Sequence, residues 1–176
     1  MPGLSRELGL FIHGEQDRFV SRCLREEGVR EPFETSLVTA VLAEGDVFVD
    51  VGANIGYFSL LAADRVGDSG AVYAFEPDPE NHALLCASAA ANGLHHVIHP
   101  QAAALAASDG QAMLYLSEDN LGDHQIFATP EQRSAVPVRL LSGSGFLDGR
   151  VQRIDLVKID TQGSEYGVMK GLLPLL

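Results

Sequence analysis

The chain has 176 residues, 46% of them hydrophobic and 20% charged, which suits one globular domain of ordinary size and excludes a disordered one. Lys and Arg number 12 against 24 Asp and Glu, a net charge of −12; a surface of that sign repels phosphate backbones and anionic bilayers, so neither nucleic acid nor a membrane is expected as a partner. Cys23 and Cys86 are the two cysteines and make no disulfide framework, and the opening MPGLSRELGLF has no basic start followed by a long apolar run, so a reduced, cytoplasmic setting is expected.

Residues 1–34 read as a helical lead-in, with scattered charge around Phe11, Ile12, Phe19, Val20 and Leu24; the domain proper is expected over 35–176. TSLVTAVLA (35–43) has a helical apolar pattern, ended by Glu44-Gly45-Asp46. VFVDVG (47–52) is short, β-branched and apolar, and reads as a buried parallel strand. A helix follows from Tyr57 to Arg65, then a turn at Gly67–Gly70 and a second buried strand, AVYAFE (71–76). Pro77 to Asn92 is a second helix with Gly93 as its stop, and HVIHP (96–100) is a third strand. AMLYL (112–116) and AVPVRL (135–140) are expected strands around a polar loop. IDLVKID (154–160) is a further strand, and Ser164 to Leu173 is helical. Strands alternating with helices predict an α/β fold with a parallel sheet and helices on both faces.

The segment Asp50-Val51-Gly52-Ala53-Asn54-Ile55-Gly56 sits at a strand end and opens a helix. Gly52 lets the chain turn sharply and lets a ligand approach the backbone. Glu76 ends the next strand, about twenty residues after Gly56, the spacing of an acid that holds a ribose hydroxyl pair. A nucleoside ligand follows. Asn54 stands where a dinucleotide loop has its middle glycine, and Asp50 would repel a pyrophosphate. S-adenosyl-L-methionine carries an ammonium and a sulfonium instead, and a carboxylate beside the loop suits both, directly or through Asn54 and water.

DVFVDVGANIGYFSLLAA, AFEPDPENHALL, ALAASDG, DNLGDHQI and DLVKIDTQGSEYGVMKG, in that order, resemble the FkbM-type methyltransferase family from about Glu34 onward. The resemblance implies a Rossmann-like class I methyltransferase fold and O-methylation of a hydroxyl on a small molecule such as a polyketide or a sugar. It implies methionine contacts from Asp50, Gly52 and Asn54, ribose contacts from Glu76, and adenine near Gln101, Ala102 and Ala103. Loop neighbours Ala53, Gly56, Tyr57 and Pro77 complete the expected cofactor set. Many relatives of this fold have Asp or Asn at the adenine position; Ala102-Ala103 here leaves that contact to backbone groups. The fold has seven strands in the order 3-2-1-4-5-7-6, and IDLVKID corresponds to the fourth. The last strands are therefore expected to be missing, leaving strand 154–160 as an edge through which the chain would form a homodimer or aggregate, or which would leave it weakly stable.

Methyl transfer needs an acceptor held in line and a group to take its proton. Asp160 ends the fourth strand opposite Gly52, His124 has the natural pKa for a base, and Glu165 lies at the start of the last helix. No metal is assigned, because the alternation of a strand does not put His95, His96 and His99 on one side. The acceptor is expected against segments 1–35 and 117–134. Two rivals stand beside this reading. One is a truncated cofactor-binding module without turnover. The other is an NAD(P)-dependent short-chain dehydrogenase using Tyr166-x-x-x-Lys170, although Tyr57-Phe58 follow Gly56 where that family has its third glycine.

Overall fold

The computed structural model describes residues 7–117, 120–127 and 133–176. Four strands form the central sheet: β1 (Val47–Val51), β2 (Ala71–Phe75), β3 (Ile98–Gln101) and β7 (Leu156–Ile159). All pair in parallel, in the order β3-β2-β1-β7, so the expected order 3-2-1-4 is what forms. Alternation along β1 divides the core. Phe48 packs with α2 (Pro32–Val41), α3 (Tyr57–Val66) and α4 (Pro79–Ala91), whose buried residues Val38, Leu61 and Leu85 share its cluster. Val49 and Val51 pack on the other face against α5 (Gly143–Leu147) and α6 (Glu165–Leu172) through Leu147, Val168 and Leu172. Helices thus cover both faces, as a parallel sheet requires.

Local signals explain the helix starts. Asp78 accepts from Glu80 N–H and Asn81 N–H, and Pro79 opens α4, so cap and first residue both favour the turn. Gly56, left-handed at φ 90°, caps the start of α3.

Sequence reading missed one strand. β4 (Ala104–Ala106) pairs in parallel with β6 (Ala135–Ser142), and β6 pairs antiparallel with β5 (Gly110–Tyr115), making a separate three-stranded sheet. Ala-Leu-Ala is short and poor in β-formers, so it gives no strand signal. The lead-in is only partly helical, with α1 at Val20–Glu27. It is bound to α4 and its end: Asn92 Oδ1 accepts from Gly9 N–H, Ser88 Oγ accepts from Phe11 N–H, and His13 Nε2 lies 2.7 Å from Asn81 Oδ1. No helix among the described residues is long and apolar enough to cross a membrane.

Candidate active site

The carboxyl ends of β1, β2 and β7 open into a cleft of about 800 Å³. The glycine loop forms its floor. Gly52 N–H and Ala53 N–H both donate to Phe75 O at 3.0 Å, which ties the loop to the end of β2. Gly52 has φ +76°, and a Cβ on it would stand 1.9 Å from the carbonyl oxygen of Asp160. Asp160 N–H donates to Val51 O at 2.9 Å, so the loop and the end of β7 touch backbone to backbone.

Glu76 lines the cleft and is buried. Its Oε2 accepts from Asn54 N–H at 2.7 Å and its Oε1 from Asp78 N–H at 2.8 Å. Each oxygen keeps a lone pair for a further donor, which is what a ribose diol requires. Burial pushes this carboxyl up to about 7, against the pull of the two backbone donors.

Asp50 is fully buried and does not line the cleft. Its Oδ2 accepts from Ser59 Oγ at 2.6 Å, while Oδ1 has no hydrogen-bond partner among the described residues. The alternation of β1 turns it under the loop, toward α3. Its route to the cleft is Lys158, whose Nζ lies 3.6 Å from Asp50 Oδ1 and 3.8 Å from Asp160 Oδ2. Lys158 also donates to Gly52 O at 3.4 Å and stands 5.1 Å over the Phe58 ring. Asp50, expected at the cleft surface, thus lies beneath it and faces Lys158, which does line it. The signal in the sequence was the lysine itself, a charge inside an apolar strand, where it needs a partner.

The cleft brings His124 and Asp160 together, but not in equal readiness. Ser117 N–H donates to His124 Nδ1 at 3.0 Å, so the ring proton sits on Nε2, 3.9 Å from Asp78 Oδ2. Burial, opposed by Asp78, lowers the imidazole's pKa, so the ring is neutral. Its single lone pair is already used, and His124 here is a donor and not the base expected of it. Asp160 accepts from Gln162 Nε2 at 3.2 Å through Oδ1 and is partly exposed in the cleft. Glu165 is outside it. Its Oε1 accepts from Gly163 N–H, Thr161 N–H and Thr161 Oγ, and Gly163 N–H foremost holds its pKa low. Glu165 shapes the loop that follows Asp160.

Gln101, Ala102 and Ala103 do not line the cleft. Ala103 N–H turns back to Gln101 O, and the wall is made by the next two residues, Ala104 and Leu105 on β4. Asn54, Ala53, Tyr57 and Pro77 do line it, whereas Gly56 packs against Leu85. Tyr166 is 82% exposed and away from the cleft, which removes the dehydrogenase pair. Loop 120–126 roofs the site through Leu121, Gly122, His124 and Ile126. Asn54 Nδ2 and Asn81 Nδ2 both donate to Leu121 O, at 3.0 and 2.9 Å. The lead-in adds Val20 and Arg30, so both segments expected at the acceptor side reach the cleft.

A model of the FkbM methyltransferase domain matches residues 50–176. The chain belongs to the FkbM methyltransferase family. The FkbM match begins at Asp50, so Val20 and Arg30 enter the cleft from outside the matched region. Over 163 residues the chain is 28% identical to hexuronic acid methyltransferase AglP of Haloferax volcanii, covering 92% of this chain and 57% of that relative's length. Among solved structures it is similar to precorrin 8W decarboxylase of Methanobacterium thermoautotrophicum, with TM-score 0.50, 17% identity, and coverage of 85% of this chain and 59% of that one. It is also similar to methyltransferase FkbM of Methylobacillus flagellatus KT, with TM-score 0.49, 15% identity, and coverage of 81% and 37%. The fold is that of the Rossmann-like methyltransferases.

Proposed function

We propose that the chain binds S-adenosyl-L-methionine in the cleft and transfers its methyl group to an oxygen of a small, sugar-like acceptor, a hydroxyl in the first instance. The observation that carries this is Glu76, a buried cleft carboxylate held by two backbone donors, one of them in the glycine loop. The relative named for hexuronic acid supports a sugar-like acceptor. The net charge of −12 argues against nucleic acid.

When bound, the cofactor supplies an electrophilic methyl on a sulfonium. The chain's own residues supply the rest. Gly52 admits the methionyl end close to the backbone, and Glu76 accepts from the ribose. Asp50 and Asp160 set a negative field that suits a cation, tempered by Lys158. Asp160 takes the acceptor's proton, while His124 Nε2–H donates to the acceptor and orients it. Leu114, Leu121 and Ile126 keep water from the reacting oxygen.

Calorimetry with S-adenosylhomocysteine tests this reading. Ribose hydroxyls donate best to an ionised carboxylate, so the ligand favours the deprotonated form of Glu76. Affinity should be level above pH 7 and fall below it, approaching about tenfold per pH unit. Glu76→Gln should bind roughly 5- to 150-fold more weakly at pH 8, and without that pH dependence. Without ligand the linkage has the other sign: the raised carboxyl stabilises the fold fully below about pH 4.5, and that contribution is lost as pH rises through about 7. Wild-type affinity in Glu76→Gln ends the ribose assignment.

We also propose that the 176-residue chain associates along β7. Among the described residues no strand pairs with its far side, and its four residues are only half-buried while Phe48–Val51 are buried. Light scattering should show a dimer or larger species, and Val157→Lys should reduce it. A monomer with β7 amides protected from hydrogen exchange would reject the association.

A further inference from the structure

We propose that Arg30 is the carboxylate receptor of the cleft, an inference that rests on the cofactor reading above. Among the described residues two cationic side chains line the cleft, Lys158 and Arg30. Lys158 is committed to Asp50, Asp160 and Gly52 O. Arg30 is placed differently. Its Nη2 pairs with Glu31 Oε1 at 2.6 Å, and Glu31 is its chain neighbour and not part of the cleft lining. A guanidinium has more than one donor edge, so it can keep Glu31 on one and offer another to a ligand.

The turn that carries Arg30 is built with care. Glu31 adopts a left-handed conformation, φ 46° and ψ 72°, directly before Pro32. That is costly for a residue without glycine's freedom and persists only where the surroundings impose it. The surroundings are Thr35, buried, whose Oγ1 donates to Arg30 O at 2.6 Å and lies 3.1 Å from the Tyr57 hydroxyl. Tyr57 is also buried and is the first residue of α3, where the glycine loop ends. A strained turn is therefore pinned to the loop, and it delivers a cation to a cleft otherwise furnished with Glu76 and Asp160. The charge is superfluous for a sulfonium or an ammonium. It fits a carboxylate, which two molecules could bring: the methionyl end of the cofactor, or an acidic acceptor.

Calorimetry on the whole chain separates the sources. The probes are S-adenosylhomocysteine, 5′-methylthioadenosine, which has the nucleoside but no amino acid, and glucuronate offered to protein saturated with S-adenosylhomocysteine. If the carboxylate is the cofactor's, Arg30→Gln weakens S-adenosylhomocysteine at least tenfold and leaves methylthioadenosine unchanged. If it is the acceptor's, both nucleosides bind as in wild type and glucuronate binding is lost. In either case Arg30→Lys recovers part of the loss, which a merely structural role would not grant. The side chain is three-quarters buried and paired with Glu31, so the melting temperature of each variant is measured and binding is compared on folded protein. Unchanged binding of all three probes by folded Arg30→Gln overturns the proposal. Equal weakening of both nucleosides overturns it as well, since the defect is then general. Wild-type protein that binds neither nucleoside overturns the cofactor reading itself, and the proposal with it.

Discussion

Gly52→Ala should unfold the site at the joint between β1 and β7. Two costs add at this position. The residue is left-handed at φ +76°, where a Cβ costs about 1–2 kcal/mol. That Cβ would also stand 1.9 Å from Asp160 O and 2.9 Å from Asp160 C, both backbone atoms. A flexible side chain could step aside; the end of a strand held by Asp160 N–H on Val51 O cannot do so without breaking that bond. The total should reach about 4 kcal/mol or more, in the range reserved for damage of this kind. Gly45→Ala supplies the control. Its φ is +86°, and the nearest atom to its Cβ is Ser69 Oγ at 3.6 Å, so it bears the conformational cost without the clash. Urea unfolding of the two variants should differ by at least about 2 kcal/mol. Binding of S-adenosylhomocysteine should vanish in Gly52→Ala alone. Equal unfolding midpoints for the pair would mean that β7 can yield, and that the contact does not constrain the loop.

The contrast between these glycines also shows what a sequence can and cannot reveal. Periodicity and punctuation disclosed the strands of a parallel sheet, short β-branched runs ending in glycine or acid and separated by helical patterns, while the order 3-2-1-4 that forms was implied by the family resemblance. The place of the glycine loop and of Glu76 in the cleft was legible because it depends on spacing along the chain. Features that depend on which way a side chain turns were not. Asp50 reads as a ligand contact until alternation along β1 sends it beneath the loop. His124 reads as a base until Ser117 N–H takes its lone pair, a bond between residues whose approach only the folded loop creates. Glu165 reads as a cleft acid, yet closes on Thr161 and Gly163 within its own turn. Gln101 to Ala103 missed the cleft by one tight turn, and the strand that does line it is three residues of alanine and leucine. Arg30 had no local signal at all, because the cleft it lines is assembled from segments distant in sequence.

Lys158→Met should be the second severe change, and its cause lies in Asp50. The carboxylate is 0% exposed, has one hydrogen bond from Ser59, and leaves Oδ1 facing the Lys158 ammonium at 3.6 Å. Methionine keeps much of the lysine stem but loses the ammonium over the Phe58 ring, so the substitution removes the charge more than the volume. Removing one partner of a buried pair strands the other, at about 3–5 kcal/mol. Asp50→Asn alone should cost less, since Lys158 retains Asp160 Oδ2 and Gly52 O and is itself partly exposed. The double variant decides the matter. With no stranded carboxylate it should be more stable than Lys158→Met, so the cycle shows a coupling of roughly 1–3 kcal/mol. Additive losses would mean that Asp50 and Lys158 act separately, and that the lysine serves Asp160 alone. Stability and binding should then part company. The double variant regains its fold but not its affinity for S-adenosylhomocysteine, because the Lys158 bond to Gly52 O that braces the glycine loop is gone.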